Sequence, residues 1–194
     1  MSTPQPGFRH LGDRLVHRGN IWHVAVSTFQ SPDGELFERD IIRSPGAVGI
    51  VPVLLEGGVP TVVFVRQYRG PFDGYVLEVP AGMRDIPDEP LELTASRELA
   101  EEVGLAAGRL EYLTQFYPSA GMTDSILHLY LATDLVPVER DVHGPEEVHM
   151  DVLRISLAEA VEMVVSGEIV DAKTVVGLLL VDRRWREGSL HLGP

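Results

Sequence analysis

Residues 97–105 read RELAEEVGL. Three glutamates and one arginine alternate there with Leu99, Val103 and Leu105. On a helix, side chains three and four residues apart share a face. Glu98 then lies beside Glu101 and Glu102, while Leu99 and Val103 turn together toward a core. Like charges at those spacings repel, by about a few tenths of a kcal/mol per pair. A solvated face more often offsets them with lysines, but here Arg97 alone is placed to do so, four residues before Glu101. Carboxylates gathered beside an apolar anchor suit a hard divalent cation, because Mg²⁺ prefers oxygen ligands. Taken alone, the stretch fits an acidic surface helix equally well.

The flanking sequence places this helix in a mixed α/β domain. Good helix formers run from about Glu89 to Val103, and Gly104 stands where a C-cap glycine belongs. Upstream, IWHVAVSTF (21–29) and LFERDIIRS (36–44) read as strands around the turn SPDGE (31–35), which predicts an N-terminal hairpin. The first dozen residues, rich in Pro, Gly and Ser, are expected to fray. GAVGIVPVLL (46–55) and TVVFVRQYR (61–69) are apolar strands joined by EGGVP, and YVLEVPAG (75–82) is a shorter one. Beyond the helix, RLEYLTQFY (109–117) and SILHLYLAT (125–133) read as strands. SLAEAVEMVVSGE carries Ser156 as N-cap and Gly167 as stop, and DAKTVVGLLLVDRRW (171–185) is a final helix with an apolar face. Residues 1–44 are expected to form an N-terminal hairpin region and residues 45–194 a catalytic domain.

Composition narrows the function. The 194 residues are 44% hydrophobic and 23% charged, ordinary values for a globular chain with one sizeable core. No apolar run is long enough to span a membrane, and the N-terminus lacks a signal-peptide core, so a cytoplasmic protein is expected. Cysteine is absent, which excludes disulfides, thiolate metal sites and a cysteine nucleophile. Acidic residues outnumber basic ones 29 to 16, a formal charge of −13. Such a chain repels nucleic acid and anionic membranes. An anionic substrate would need local cations, either arginines or metal ions.

The longer string GMRDIPDEPLELTASRELAEEVGL (82–105) resembles the Nudix box, G-x5-E-x7-R-E-U-x-E-E-x-G-U with U aliphatic. Glu89, Arg97, Glu98, Leu99, Glu101, Glu102, Gly104 and Leu105 fall on their places. The departure is one extra residue between Gly82 and Glu89. Asp88 occupies the strict position, but only Glu89 keeps the spacing to Arg97, so the insertion belongs to the loop, where length is tolerated. The resemblance implies the Nudix fold, a mixed sheet sandwiched between helices. It further implies Mg²⁺, with Mn²⁺ as a substitute, held by Glu98, Glu102 and the Ala81 carbonyl. Glu101 either binds metal or orients its neighbours with Arg97, which is read as structural.

Flanking stretches resemble the ADP-ribose pyrophosphatase branch of that family. In VRQYRG (65–70) the resemblance makes Arg69 a phosphate ligand; a solvent-facing strand arginine is the plain alternative. In FYPSAGMTDSILHLYLA (116–132) it places Pro118 on a loop bordering the terminal ribose, where simple loop geometry would also account for it. SGEIVDAKT (166–174) matches the same branch, and the likeness covers roughly residues 20 to 183. A base must deprotonate water near the cations, and a carboxylate suffices once they lower its pKa. The branch takes it from a loop beyond the box, here HGPEEVHMD (143–151), with Glu147 in better register and Glu146 as runner-up. Adenine needs a platform, for which Trp22 and Phe29 are candidates, although Trp22 fits a buried core role equally well. Arg39 and Arg43 would add positive charge. In this branch the N-terminal region crosses to a second subunit, so a homodimer is expected. The implied reaction is hydrolysis of ADP-ribose to AMP and ribose 5-phosphate. The alternatives are another nucleoside diphosphate, such as a sugar nucleotide or dinucleotide, and a non-catalytic nucleotide sensor.

Overall fold

The computed structural model describes residues 7–141 and 148–192. They divide into two compact units, one built from residues up to Gly46 together with Tyr117–Ile126, the other from Ala47–Phe116 with the chain after Leu127.

The first unit is a three-stranded antiparallel sheet in the order β1 (Arg9–Arg18), β2 (His23–Gln30), β3 (Leu36–Arg43). The expected hairpin is β2–β3, paired from His23↔Arg43 to Gln30↔Leu36. The turn 31–35 closes with the Ser31 amide donating to the Glu35 carbonyl. Strand β1 corrects the expectation of a frayed N-terminus. Every one of its residues is exposed, so it carries no burial alternation for sequence reading to detect. It is held by backbone pairing to β2 and by Asp13, which accepts from Arg43 at 2.9 Å and from Ser27 at 2.6 Å. The segment 117–126 joins this unit through the Ile42 amide, which donates to the Met122 carbonyl at 2.9 Å.

The second unit is a mixed sheet between helices. Strand order is β10 (Asp151–Ser156), β5 (Val59–Arg69), β4 (Ala47–Glu56), β9 (Leu127–Pro137), β8 (Leu105–Phe116). Strand β6 (Gly74–Glu78) pairs with β5, and β7 (Ala81–Met83) with the start of β4. Among the described strands of this sheet β4–β9 pair in parallel and the other pairs are antiparallel. Strand β10 was not anticipated, since its residues are at most half-buried and alternate weakly.

Alternation along the central strands divides the core in two. Val48, Ile50, Val63, Val65, Tyr130 and Ala132 face α1 (Leu91–Val103), which contributes Ala95, Leu99 and Val103. Val51, Val53, Val62, Phe64, Leu129 and Leu131 face the other side. There α2 (Leu157–Ser166) supplies Leu157, Ala160 and Val161, and α3 (Ala172–Arg186) supplies Leu178 and Val181. Strands buried on both faces read as continuous apolar runs, as TVVFV does. Gly177 lets α3 press on the sheet, because a Cβ there would lie 2.6 Å from Val51 Cγ2.

The predicted helix limits hold. Gly104 ends α1 at φ 65°, Ser156 caps α2 by accepting from the Glu159 amide, and Gly167 ends it at φ 80°. Among the described residues no helix is long and apolar enough to cross a membrane.

Candidate active site

Helix α1 owes its register to a spacing of four. Leu99 is wholly buried and Val103 nearly so, which leaves Arg97, Glu98, Glu101 and Glu102 at the margin of the sheet. Arg97 sits at the centre. Its Nη1 donates to Glu98 at 2.8 Å and to Glu101 at 2.9 Å, and its Nη2 donates to Glu89 at 3.2 Å. Asp85 lies 3.6 Å away. Glu89 is therefore the loop glutamate that reaches Arg97. Asp88, the extra residue, is exposed and takes a left-handed φ of 62°, so the insertion is absorbed in the loop and the helix register is kept.

Glu102 is buried and its Oε2 accepts from the Ala81 amide at 2.9 Å. This bond ties α1 to strand β7, which carries the Ala81 carbonyl. The residue before it is itself fixed to β4, since the Ile50 amide donates to the Pro80 carbonyl at 2.9 Å. Burial pushes the Glu98 carboxyl up to about 7, against the pull of Arg97. A carboxylate desolvated beside two others is costly unless a cation shares the site.

The donors fit a hard divalent ion. They are all oxygen, and Gly82 provides a cradle, because a Cβ there would lie 1.9 Å from the Glu98 carboxyl carbon. Among the described residues no three carboxylates or histidines already stand in ligand geometry. Glu98 and Glu101 face Arg97 instead, so a cation must compete with that guanidinium for them.

Arg69 ends β5. It grips Glu78 with both arms of its fork, Nε to Oε1 and Nη2 to Oε2, each at 2.7 Å. Glu78 is almost fully buried while the Arg69 side chain is 39% exposed, so the guanidinium is fixed from behind and open in front. Hydrogen bonding to Glu78 raises the Arg69 pKa further, which keeps the charge permanent. Glu78 also meets Lys173 of α3, and Lys173 lies 3.1 Å from Asp171. Sequence reading missed Glu78 and Lys173. The available signal was that Lys173 is the sole lysine of the chain.

The remaining candidates lie in the first unit. Arg43 is shared by Asp13 and Asp124, at 2.9 and 3.1 Å, and the Ser44 amide donates to Asp124 at 3.0 Å. Arg39 lies over the Phe37 ring at 4.8 Å, and Phe37 stacks on Phe29 at 5.4 Å. Phe29, Arg39 and Arg43 line one groove of about 660 Å³ with the turn at 120–124. Pro118 lies exposed at the start of that turn segment. Trp22 stands outside the groove and is 54% exposed, so it does not take the core role that was its alternative. Glu146 and Glu147 lie outside the described residues.

Comparison with known proteins bears on the family and the fold. The NUDIX domain family matches residues 43–174. An ADP-ribose pyrophosphatase of Bacillus subtilis (strain 168) is 35% identical over 168 residues, 87% of this chain and 89% of that protein. An ADP-ribose pyrophosphatase of Mycobacterium tuberculosis is also 35% identical, over 90% of this chain and 83% of its own length. A solved structure described as an ADP compounds hydrolase superposes with a TM-score of 0.80 at 24% identity, covering 97% of this chain and all of that one, which bears on the fold. The chain belongs to the Nudix family.

Proposed function

We propose that the protein hydrolyses the pyrophosphate bond of ADP-ribose, giving AMP and ribose 5-phosphate, with Mg²⁺ at the box and Mn²⁺ able to replace it. The observation that carries this reading is the conjunction of two features in one unit. One is a set of carboxylates gathered around a single arginine, and the other is an arginine fork fixed by a buried glutamate. The first answers to a divalent cation and the second to a diphosphate. Two ADP-ribose pyrophosphatases related over most of the chain support the choice of substrate.

In this mechanism Glu98, Glu102 and the Ala81 carbonyl would hold the cation, and Glu101 would complete the shell or keep Arg97 in place. Lewis acidity and a lowered pKa of water are what such a cation would supply there. Glu147, with Glu146 as the alternative, takes the proton from the attacking water. Arg69 holds the diphosphate and offsets the charge that builds on it. Phe29 and Arg39 offer an aromatic and cationic surface for the nucleoside, Arg43 adds charge, and Pro118 stiffens the loop toward the ribose. Turnover of a diphosphate panel with Mg²⁺ tests the reading. ADP-ribose should give the highest kcat/KM. A preference for a sugar nucleotide or dinucleotide would replace the substrate, and binding without turnover of any would replace the enzyme with a sensor.

We also infer a homodimer through the N-terminal sheet. Leu11, Leu15, Val16, Ile21 and Trp22 are all exposed there, and a second copy would cover them. Trp22 would then meet the partner's nucleoside. Light scattering at micromolar concentration should show a dimer, and a 21.3 kDa monomer would refute it. Removal of residues 1–44 should weaken ADP-ribose binding, and unchanged affinity in a folded truncation would remove the sheet from the site.

A further inference from the structure

Lys173 is an unusual residue in this chain. It is the only lysine among 16 basic residues, and it is buried, at 7% exposure. Its Nζ donates to Glu78 Oε2, the oxygen that also accepts from Arg69 Nη2. The next residue, Thr174, accepts from the Val79 amide at 2.9 Å and donates to Asp171 Oδ2 at 2.6 Å. The first turn of α3 thus grips residues 78 and 79 side by side. They immediately precede the Pro80–Ala81–Gly82 stretch of the box, and they lie 95 positions away in sequence.

Stability alone does not account for this arrangement. Buried ion pairs are often no more stable than apolar residues of the same volume. Charge bookkeeping gives a better reason. Arg69, Glu78 and Asp171 by themselves would carry one net negative charge, which repels a diphosphate. Lys173 brings the cluster to balance, so the Arg69 guanidinium stays clamped with no surplus of negative charge behind it. Asp171, the second carboxylate, is met by the N-terminal end of α3, where the Thr174 amide donates to it at 3.0 Å and the helix dipole favours a negative charge.

We infer that Lys173 is a positioning residue for diphosphate binding, acting through Glu78 on Arg69. It need not touch substrate, and the inference rests on the reading of Arg69 as the phosphate-binding cation. An apolar Lys173 would leave Glu78 with one cation partner and the cluster with a net negative charge behind Arg69. The metal ligands on α1 would be untouched.

The test compares Lys173→Met, Lys173→Gln and Lys173→Arg with the unmodified protein. Three quantities are read: ADP affinity by calorimetry, Mn²⁺ affinity by electron paramagnetic resonance, and kcat and KM for ADP-ribose. Lys173→Met and Lys173→Gln should weaken ADP binding and raise KM by about tenfold or more, the scale of one charge-assisted hydrogen bond. Their kcat should stay within about threefold and Mn²⁺ affinity within about twofold. Lys173→Arg, which keeps the charge, should bind ADP better than Lys173→Met. A packing role predicts the reverse order, because unbranched methionine stays within the space of the lysine stem, whereas the longer, forked guanidinium overpacks it. Unchanged ADP affinity in the neutral variants, parallel loss of Mn²⁺ and ADP binding, or the reversed order would each overturn the inference. So would failure of both neutral variants to fold. Absence of ADP-ribose turnover by the unmodified protein, with ADP still bound, would overturn the substrate reading and leave Lys173 to be judged on binding. Absence of ADP binding by the unmodified protein would overturn both.

Discussion

Two clusters of charge stand within the second unit, and they are built on opposite plans. Around Arg97 one guanidinium faces Glu89, Glu98 and Glu101 within hydrogen-bonding reach, with Asp85 close by. Around Glu78 two cations, Arg69 and Lys173, balance Glu78 and Asp171. The first cluster is short of positive charge and the second is not. A folded protein tolerates a local excess of buried negative charge where a ligand removes it, and burial raises the Glu98 pKa for the same reason. The balanced cluster needs no such ligand for its own stability. It holds one arginine still, with an open side, which is what recognition of a diphosphate requires. On the proposed function, the difference separates the residues that would take a cation from those that would take an anion.

Removing a carboxylate from the unbalanced cluster should have the largest effect. Glu102→Gln should keep the fold, since the amide oxygen can still accept from Ala81, but it should lower turnover of ADP-ribose by about 10³-fold at ordinary Mg²⁺. That is the rate equivalent of losing several kcal/mol of Lewis-acid stabilisation. Near-normal turnover would mean that the charge excess serves something other than metal. Glu147→Gln comes next. If Glu147 is the base proposed above, kcat should fall by about 10²-fold while KM and Mn²⁺ affinity stay level. If Glu146→Gln alone gives that result, the base is one residue earlier in the loop.

The two plans also differ in how readily a sequence discloses them. The Arg97 cluster is local: its members lie within one helix and the loop before it, so spacing alone places Glu98, Glu101 and Glu102 together. Even the extra loop residue is resolved by counting back from Arg97 to Glu89. The Glu78 cluster depends on tertiary structure, because Lys173 comes from α3 and Glu78 from β6, and no periodicity links them. The same division runs through the fold. The central strands and the helices α1, α2 and α3 announce themselves by burial period and caps, as at Gly104, Ser156 and Gly167. Strands β1 and β10 do not, because neither is buried enough to impose an alternation, and their existence is fixed by backbone pairing with β2 and β5. Trp22 is the converse case. Its size suggests a core residue, but in the single chain it lies open.

The smallest expected effect is on stability, and it carries its own control. In the metal-free protein burial lifts the Glu98 carboxyl to about 7, above the ordinary 4.5 of the unfolded chain. Between those values the folded protein holds a proton that the unfolded chain has released. Stability then falls as pH rises, because the native state must give up that proton at a cost. The loss should begin near pH 4.5 and be complete a little above pH 7. Its size should be about 1–2 kcal/mol, less than the full shift implies because water and side chains relax around a charge at a helix margin. A divalent cation on Glu98 favours the ionised form and should flatten the slope. Glu78 offers the contrast. Burial raises its pKa, but Arg69 and Lys173 lower it by more, so the net shift is downward and its stabilising charge is lost only below the usual carboxylate range. Denaturant unfolding from pH 5 to 8, with EDTA and with saturating Mg²⁺, reads the Glu98 slope, to which Glu78, ionised throughout that range, adds nothing. A falling curve in EDTA that becomes level with Mg²⁺ is expected. Parallel curves would show that Mg²⁺ does not share a site with Glu98, and the charge excess at Arg97 would then need another explanation.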